Sequence, residues 1–86
     1  MKTYRIQISA TAWRQLMKLD EKTQDKISAK IESLEQNPRP SGCKNLQGEE
    51  RLYRVRIGNF RVVYDVFDDV LVVLVVAIGD RKDIYD

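Results

Sequence analysis

Apolar and polar residues first alternate, then repeat at helical spacing, then alternate again to nearly the end of the chain. Tyr4, Ile6 and Ile8 alternate with Arg5 and Gln7, the period of a strand with one face against a core, which predicts a strand over residues 3–8. Ser9 is placed as an N-cap, and Ala10, Trp13, Leu16 and Met17 follow at helical spacing as far as Leu19-Asp20, with Trp13 expected in the core. From Glu21, Ile27, Ile31 and Leu34 fall at i, i+4 and i+7 until Asn37-Pro38 ends the pattern, so a second, amphipathic helix is predicted. Residues 38–48 hold both prolines and two of the four glycines, and read as a loop.

Beyond the loop the period returns to two. Tyr53, Val55 and Ile57 alternate with Arg54 and Arg56, and Phe60, Val62, Tyr64 and Val66 continue after Gly58-Asn59, predicting two strands joined by a tight hairpin. Asp68-Asp69 marks a second turn. Val70 to Ala77 is apolar on both sides and is expected as an interior strand, with Gly79 to Asp86 as a polar tail. The predicted order is β-α-α-β-β-β over one domain of residues 1–86: an α+β fold with an antiparallel sheet and the two N-terminal helices packed on one of its faces.

Composition narrows the function more than the fold. With 43% hydrophobic and 33% charged residues among 86, the chain has the make-up of a small globular protein and no spare length for a second module. The lone Cys43 cannot form an internal disulfide, and Met1-Lys2-Thr3-Tyr4-Arg5 leads straight into the alternating pattern without an apolar leader, so a cytoplasmic location is expected. The run Val70 to Ala77 is far short of the roughly 20 residues of a membrane helix, so no membrane partner is expected. Histidine is absent, which removes the commonest proton carrier and leaves Cys43 as the only soft metal ligand; neither a zinc site nor a Cys-His nucleophile is expected.

A formal net charge of +2 is too small to indicate a polyanionic partner by itself, so the placement of the cations decides. If Gly58 and Asn59 are the central turn residues, Ile57 faces Phe60, Arg56 faces Arg61 and Arg54 faces Val63. Like charges directly opposite in a sheet are unfavourable by a few tenths to about 1 kcal/mol. Arginines on a solvated sheet face are common and usually need no ligand. Here Arg51 joins Arg54, Arg56 and Arg61 on one hairpin while the acids cluster in the second helix and the second turn, so an anion, most simply phosphate, fits the face. Arg81 and Tyr85 lie just past the last strand, where a tail folded back over the sheet would bring them near; the plainer alternative is a solvated C-terminus with Asp83 pairing a neighbouring cation.

Lys44-Asn45-Leu46-Gln47-Gly48, then Leu52 to Tyr64, then Gly79-Asp80-Arg81-Lys82-Asp83-Ile84-Tyr85 together resemble the RelE/ParE toxin pattern across essentially the whole chain. The resemblance implies a toxin of a type II toxin–antitoxin pair, neutralised by a cognate antitoxin. RelE-like members cleave messenger RNA in the ribosomal A site by attack of the ribose 2′-hydroxyl on the adjacent phosphate, without a cofactor or metal. The RelE-like active-site positions are occupied here by Arg54, Arg56, Arg61, Arg81 and Tyr85. Arginine stands at strand positions where some members carry lysine, and Asp80 where many carry histidine, which leaves Tyr85 or Asp80 to move protons. A ParE-like poison of DNA gyrase and a non-catalytic interaction module share the scaffold and remain alternatives.

Overall fold

Two polar residues start the two helices. Ser9 and Asp20 each adopt extended backbone and accept a hydrogen bond from the N–H three residues on, Ala12 at 3.0 Å and Thr23 at 3.2 Å. The computed structural model describes residues 3–46, 48 and 51–80. Its elements are β1 (Arg5–Ile8), α1 (Ala10–Met17), α2 (Glu21–Ser33), β2 (Lys44–Asn45), β3 (Leu52–Ile57), β4 (Phe60–Phe67) and β5 (Val72–Asp80). The predicted order is present, with one short strand, β2, inside the segment read as a loop.

The helices bury different amounts of their predicted stripes. In α2 the i, i+4, i+7 set Ile27, Ile31 and Leu34 is almost wholly buried, as the spacing predicts. In α1 the buried stripe is Ala12 and Leu16, so Trp13, expected in the core, lies 52% exposed, as does much of Met17. One narrow contact stripe on an eight-residue helix leaves the adjacent positions outside. Trp13 instead walls an apolar groove with Ile6, Ile8, Leu16 and Ile31, rimmed by Glu32 and Glu35.

The five strands form one sheet in the order β1-β5-β4-β3-β2. Strands β2 to β5 are antiparallel, but β1 runs parallel to β5, with Arg5 opposite Val72 and Ile8 opposite Val75. Residue alternation carries no information on strand direction, and the chain between β1 and β5, two helices and three strands, is long enough to return for parallel pairing. Strand β5 starts two residues later than predicted and continues through Gly79 and Asp80, residues assigned from the sequence to the tail. It outruns β1, and the first helix takes over its exposed edge: Ser9 Oγ donates to the Val76 carbonyl (3.1 Å), and Gln15 Oε1 accepts from the Ile78 N–H (2.7 Å). The bulge at Val76, between the Val63–Ala77 and Tyr64–Val75 pairs, re-aims this end of the strand.

Tyr64 is wholly buried on the helix-facing side of the sheet, and its hydroxyl donates to the Pro38 carbonyl at 2.8 Å. Its ring stacks on Tyr53 with centroids 6.0 Å apart. Burial holds the Tyr64 phenol protonated well above its ordinary range. A clasp forms at the sheet end remote from the Gly58-Asn59 turn. Arg39 grips Asp68 through both Nη atoms (3.2 and 2.6 Å) and donates from Nε to the Tyr53 hydroxyl (2.9 Å), while the Tyr4 hydroxyl donates to Asp68 (2.6 Å). The hydrogen bond to Asp68, helped by burial, raises the Tyr4 phenol pKa. In the adjoining turn, Leu71 is the non-glycine residue with a left-handed backbone (φ 55°) among the described residues.

Candidate functional site

The turn of the β3–β4 hairpin determines which side chains meet. Gly58 has φ 59°, and no positive φ occurs at Asn59, the sign pattern of a two-residue II′ turn. Such a turn makes Ile57–Phe60 a hydrogen-bonded pair and Arg56–Arg61 a non-hydrogen-bonded one, in which the Cα atoms approach to about 4.5 Å. The alternation holds to the far end of the ladder, where the Val66 N–H donates to the Arg51 carbonyl at 2.9 Å. The register is the one read from the sequence: Arg56 opposite Arg61, Arg54 opposite Val63. Directly paired residues share a face, so Arg54, Arg56 and Arg61 all project from the side of the sheet away from the helices.

These arginines sit at different depths. Arg56 is exposed, whereas Arg54 and Arg61, expected to be open to solvent, retain only 6% and 7% exposure. The face is not bare: Leu46 folds onto it against Val63, and Leu52, Val76 and Ala77 pack around them as a second small apolar cluster. The long arginine stems lie along such a surface, and a guanidinium taken out of bulk water acts on an anion through a lower dielectric. On β5, Gly79 stands opposite Arg61, so no side chain projects there from the neighbouring strand.

The short strand β2 adds a cation that the sequence reading did not assign. Lys44 pairs with Arg54 and is exposed, which places a fourth positive charge on the same face. Two residues are too few to show alternation, so no periodic signal marked β2. Asp80 moves the other way. It pairs with Phe60 and lines a hollow with Gln15, Lys18 and Leu19 of the first helix and its C-terminal turn, so it belongs to the helix side of the sheet, opposite the arginines. Arg81 and Tyr85 lie outside the described residues.

The geometry thus defines a small α+β domain with a cationic sheet face of graded depth. Over residues 6–85 the sequence matches the family described as the ParE toxin of the type II toxin–antitoxin system, parDE. The chain belongs to the RelE/ParE superfamily of toxins of type II toxin–antitoxin systems. It is 31% identical to a putative RelE-like toxin protein of Escherichia coli, over 96% of this chain and 90% of that one. It is 33% identical to the putative toxin RelE1 of Methanocaldococcus jannaschii, covering 95% and 94% of the two chains. The fold superposes on the archaeal RelE in the RelE–RelB complex from Pyrococcus horikoshii with a TM-score of 0.84 at 26% identity, over 95% of this chain and 99% of that one. Among the described residues, no helix is long and apolar enough to cross a membrane.

Proposed function

We propose that this toxin is a ribosome-dependent endoribonuclease that cuts messenger RNA in the A site and so arrests translation. The observation that carries the reading is the facing pair Arg56–Arg61, with Arg54 beside it on the same sheet face. Two guanidinium groups held side by side can grip one phosphate between them, and the planar fork suits its oxygens.

In the proposed reaction the substrate supplies its own nucleophile. The 2′-oxygen forms a bond to the adjacent phosphorus, the P–O5′ bond breaks, the proton of the 2′-hydroxyl leaves to a base, and the departing 5′-oxygen takes up a proton. Arg61 and Arg56 stabilise the negative charge that gathers on the phosphorane, and Arg54 orients the backbone for in-line attack. Arg81, directly after β5, is assigned to the same phosphate. Arginine is a poor proton acceptor in water, so proton transfer is assigned to Tyr85, the alternative Asp80 being on the far face of the sheet.

The partners proposed are the ribosome with its message and a cognate antitoxin. RelE of Pyrococcus horikoshii is seen bound to RelB. An acidic segment of the antitoxin would neutralise the arginine face, while a separate apolar segment would fit the groove walled by Trp13, Ile6 and Ile31 on the helix side of the sheet. The match to a family described as ParE toxins favours a second reading, poisoning of DNA gyrase without RNA chemistry. Primer extension on translated messages after induction separates the two: cuts within codons are expected. Intact messages accompanied by double-strand DNA breaks would replace the nuclease reading with the gyrase one.

A further inference from the structure

The cationic face does not stop at the β3–β4 hairpin. Lys44 stands opposite Arg54 in the β2–β3 ladder, so Arg61, Arg56, Arg54 and Lys44 form a stepped line across three neighbouring strands. Each step is short: about 4.5–5.5 Å between paired strands and about 6.6 Å between alternate residues along β3. Phosphates of an extended single strand recur at a comparable interval. The line therefore has the form of a backbone track and not of a single anion pocket.

The position of Lys44 is fixed on both sides. Asn45 Nδ2 donates to the Leu52 carbonyl (3.1 Å), and the Leu46 N–H donates to the same carbonyl (2.8 Å), tying β2 to β3 immediately after Lys44. Before it, Gly42 turns the chain with φ 91°, a conformation most side chains resist. Leu46 is buried on Val63, which anchors β2 from below while Lys44 remains exposed. Strand β2 is the edge of the sheet, so beyond Lys44 the track opens to solvent among the described residues.

We infer that Lys44 is the outer phosphate ligand of the RNA track: it holds the nucleotide flanking the one cut at Arg56 and Arg61, and the message crosses the sheet from β4 to the β2 edge. It is a positioning residue, acting on the backbone away from the reacting atoms. The inference rests on the proposed RNA chemistry for its biological setting, so its test is independent of cleavage. The probe is a fluorescent single-stranded RNA oligonucleotide with 2′-O-methyl groups, which binds but cannot be cut. Its affinity for the full chain is read by anisotropy across a salt series.

One phosphate contact on single-stranded nucleic acid contributes a slope of about 0.7 in log affinity against log salt, equivalent to about fivefold in affinity at 0.1 M salt. Lys44→Ala is expected to lose that slope and that affinity, Lys44→Glu to lose more, and Lys44→Arg to retain both. On programmed ribosomes carrying cleavable message, Lys44→Ala is expected to raise the half-saturating toxin concentration while leaving the rate at saturation within about twofold. Equal affinity and equal salt slope for the wild-type chain and Lys44→Ala would overturn the inference, as would a wild-type chain that does not bind the oligonucleotide. A wild-type chain that binds with the expected slope but never cuts message would overturn the proposed nuclease and leave the Lys44 assignment standing.

Discussion

Arg56 and Arg61 face each other across the hairpin at a non-hydrogen-bonded position, where side chains approach most closely, yet one is exposed and the other nearly buried. Stability and function therefore pull in opposite directions at Arg56. Arg56→Gln removes the repulsion without opening a cavity and is expected to stabilise the domain by a few tenths to about 1 kcal/mol. Toxicity should fall. Melting temperature and growth arrest at matched expression measure the two effects; a less stable variant with full toxicity would remove the pair from the site.

Arg61 needs a different substitution, because truncating a buried stem also disturbs packing. Arg61→Lys keeps the charge and most of the stem and loses the planar fork. A fold close to the wild type with cleavage reduced at least tenfold is the expected result. Unchanged single-turnover cleavage would mean that Arg61 acts only as a charge or not at all.

Tyr85 distinguishes proton transfer from stacking. If its hydroxyl carries the proton, Tyr85→Phe lowers the single-turnover rate on programmed ribosomes sharply and leaves ribosome binding almost unchanged. If the ring only stacks on a base, Tyr85→Phe is near normal and Tyr85→Ala poor. Near-normal rates for both variants would take Tyr85 out of the mechanism.

Two tyrosines should make the protein sensitive to alkali. Tyr4 and Tyr64 both have phenol pKa values raised in the folded state, the first chiefly by its hydrogen bond to Asp68 and the second chiefly by burial. In the unfolded chain both lose their protons near pH 10, before the native state does. Their contribution to stability is complete below about pH 10 and declines as pH rises through the folded values, because the unfolded state then binds fewer protons. Urea midpoints between about pH 8 and 11 should show this fall, and Tyr4→Phe should flatten it. At neutral pH, Tyr64→Phe leaves the Pro38 carbonyl without its donor and is expected to cost about 1–3 kcal/mol.

The Arg39–Asp68 clasp is a weaker and more salt-dependent contribution. The side chains are 38% and 53% exposed, so solvent screening limits even this two-pronged pair to about 0.5–1 kcal/mol. Asp68→Asn should lower the melting temperature by a few degrees at low salt and by clearly less in concentrated salt. An effect independent of ionic strength would assign the loss to the Tyr4 hydrogen bond alone.

Alternation is informative wherever one face is dry and the other wet, which is why the pairing of Ile57 with Phe60 and of Arg56 with Arg61 could be read before any coordinates. The same pattern carries nothing about strand direction, so the parallel contact of Ile8 with Val75 was not legible. Nor does it report what lies above a face. Arg54 and Arg61 read as solvent-exposed, and only the packing of Leu46 onto Val63 shows that this side of the sheet carries an apolar cluster of its own. Trp13 was misplaced because helical spacing identifies a stripe but not its width. Lys44 could not be placed on this face because a two-residue strand has no period.

The pairing of the first strand with the last also orders events in time. Ser9 and Val76, 67 residues apart, are joined where β1 meets β5, whereas the two helices and the β3–β4 hairpin are each built from neighbouring residues. Local units close quickly, and contacts across long stretches of chain form late. During synthesis β1 has no strand to bind until β5 has been made, and until then Ile6 and Ile8 face an unfinished core. The register that sets Arg56 opposite Arg61 needs only the hairpin, whereas the burial of Arg54 and Arg61 waits for Leu46, Val76 and Ala77 to close around them. For a nascent toxin the order matters: the register of its arginines precedes their finished setting, and a partner that binds during translation would meet the chain at its least stable.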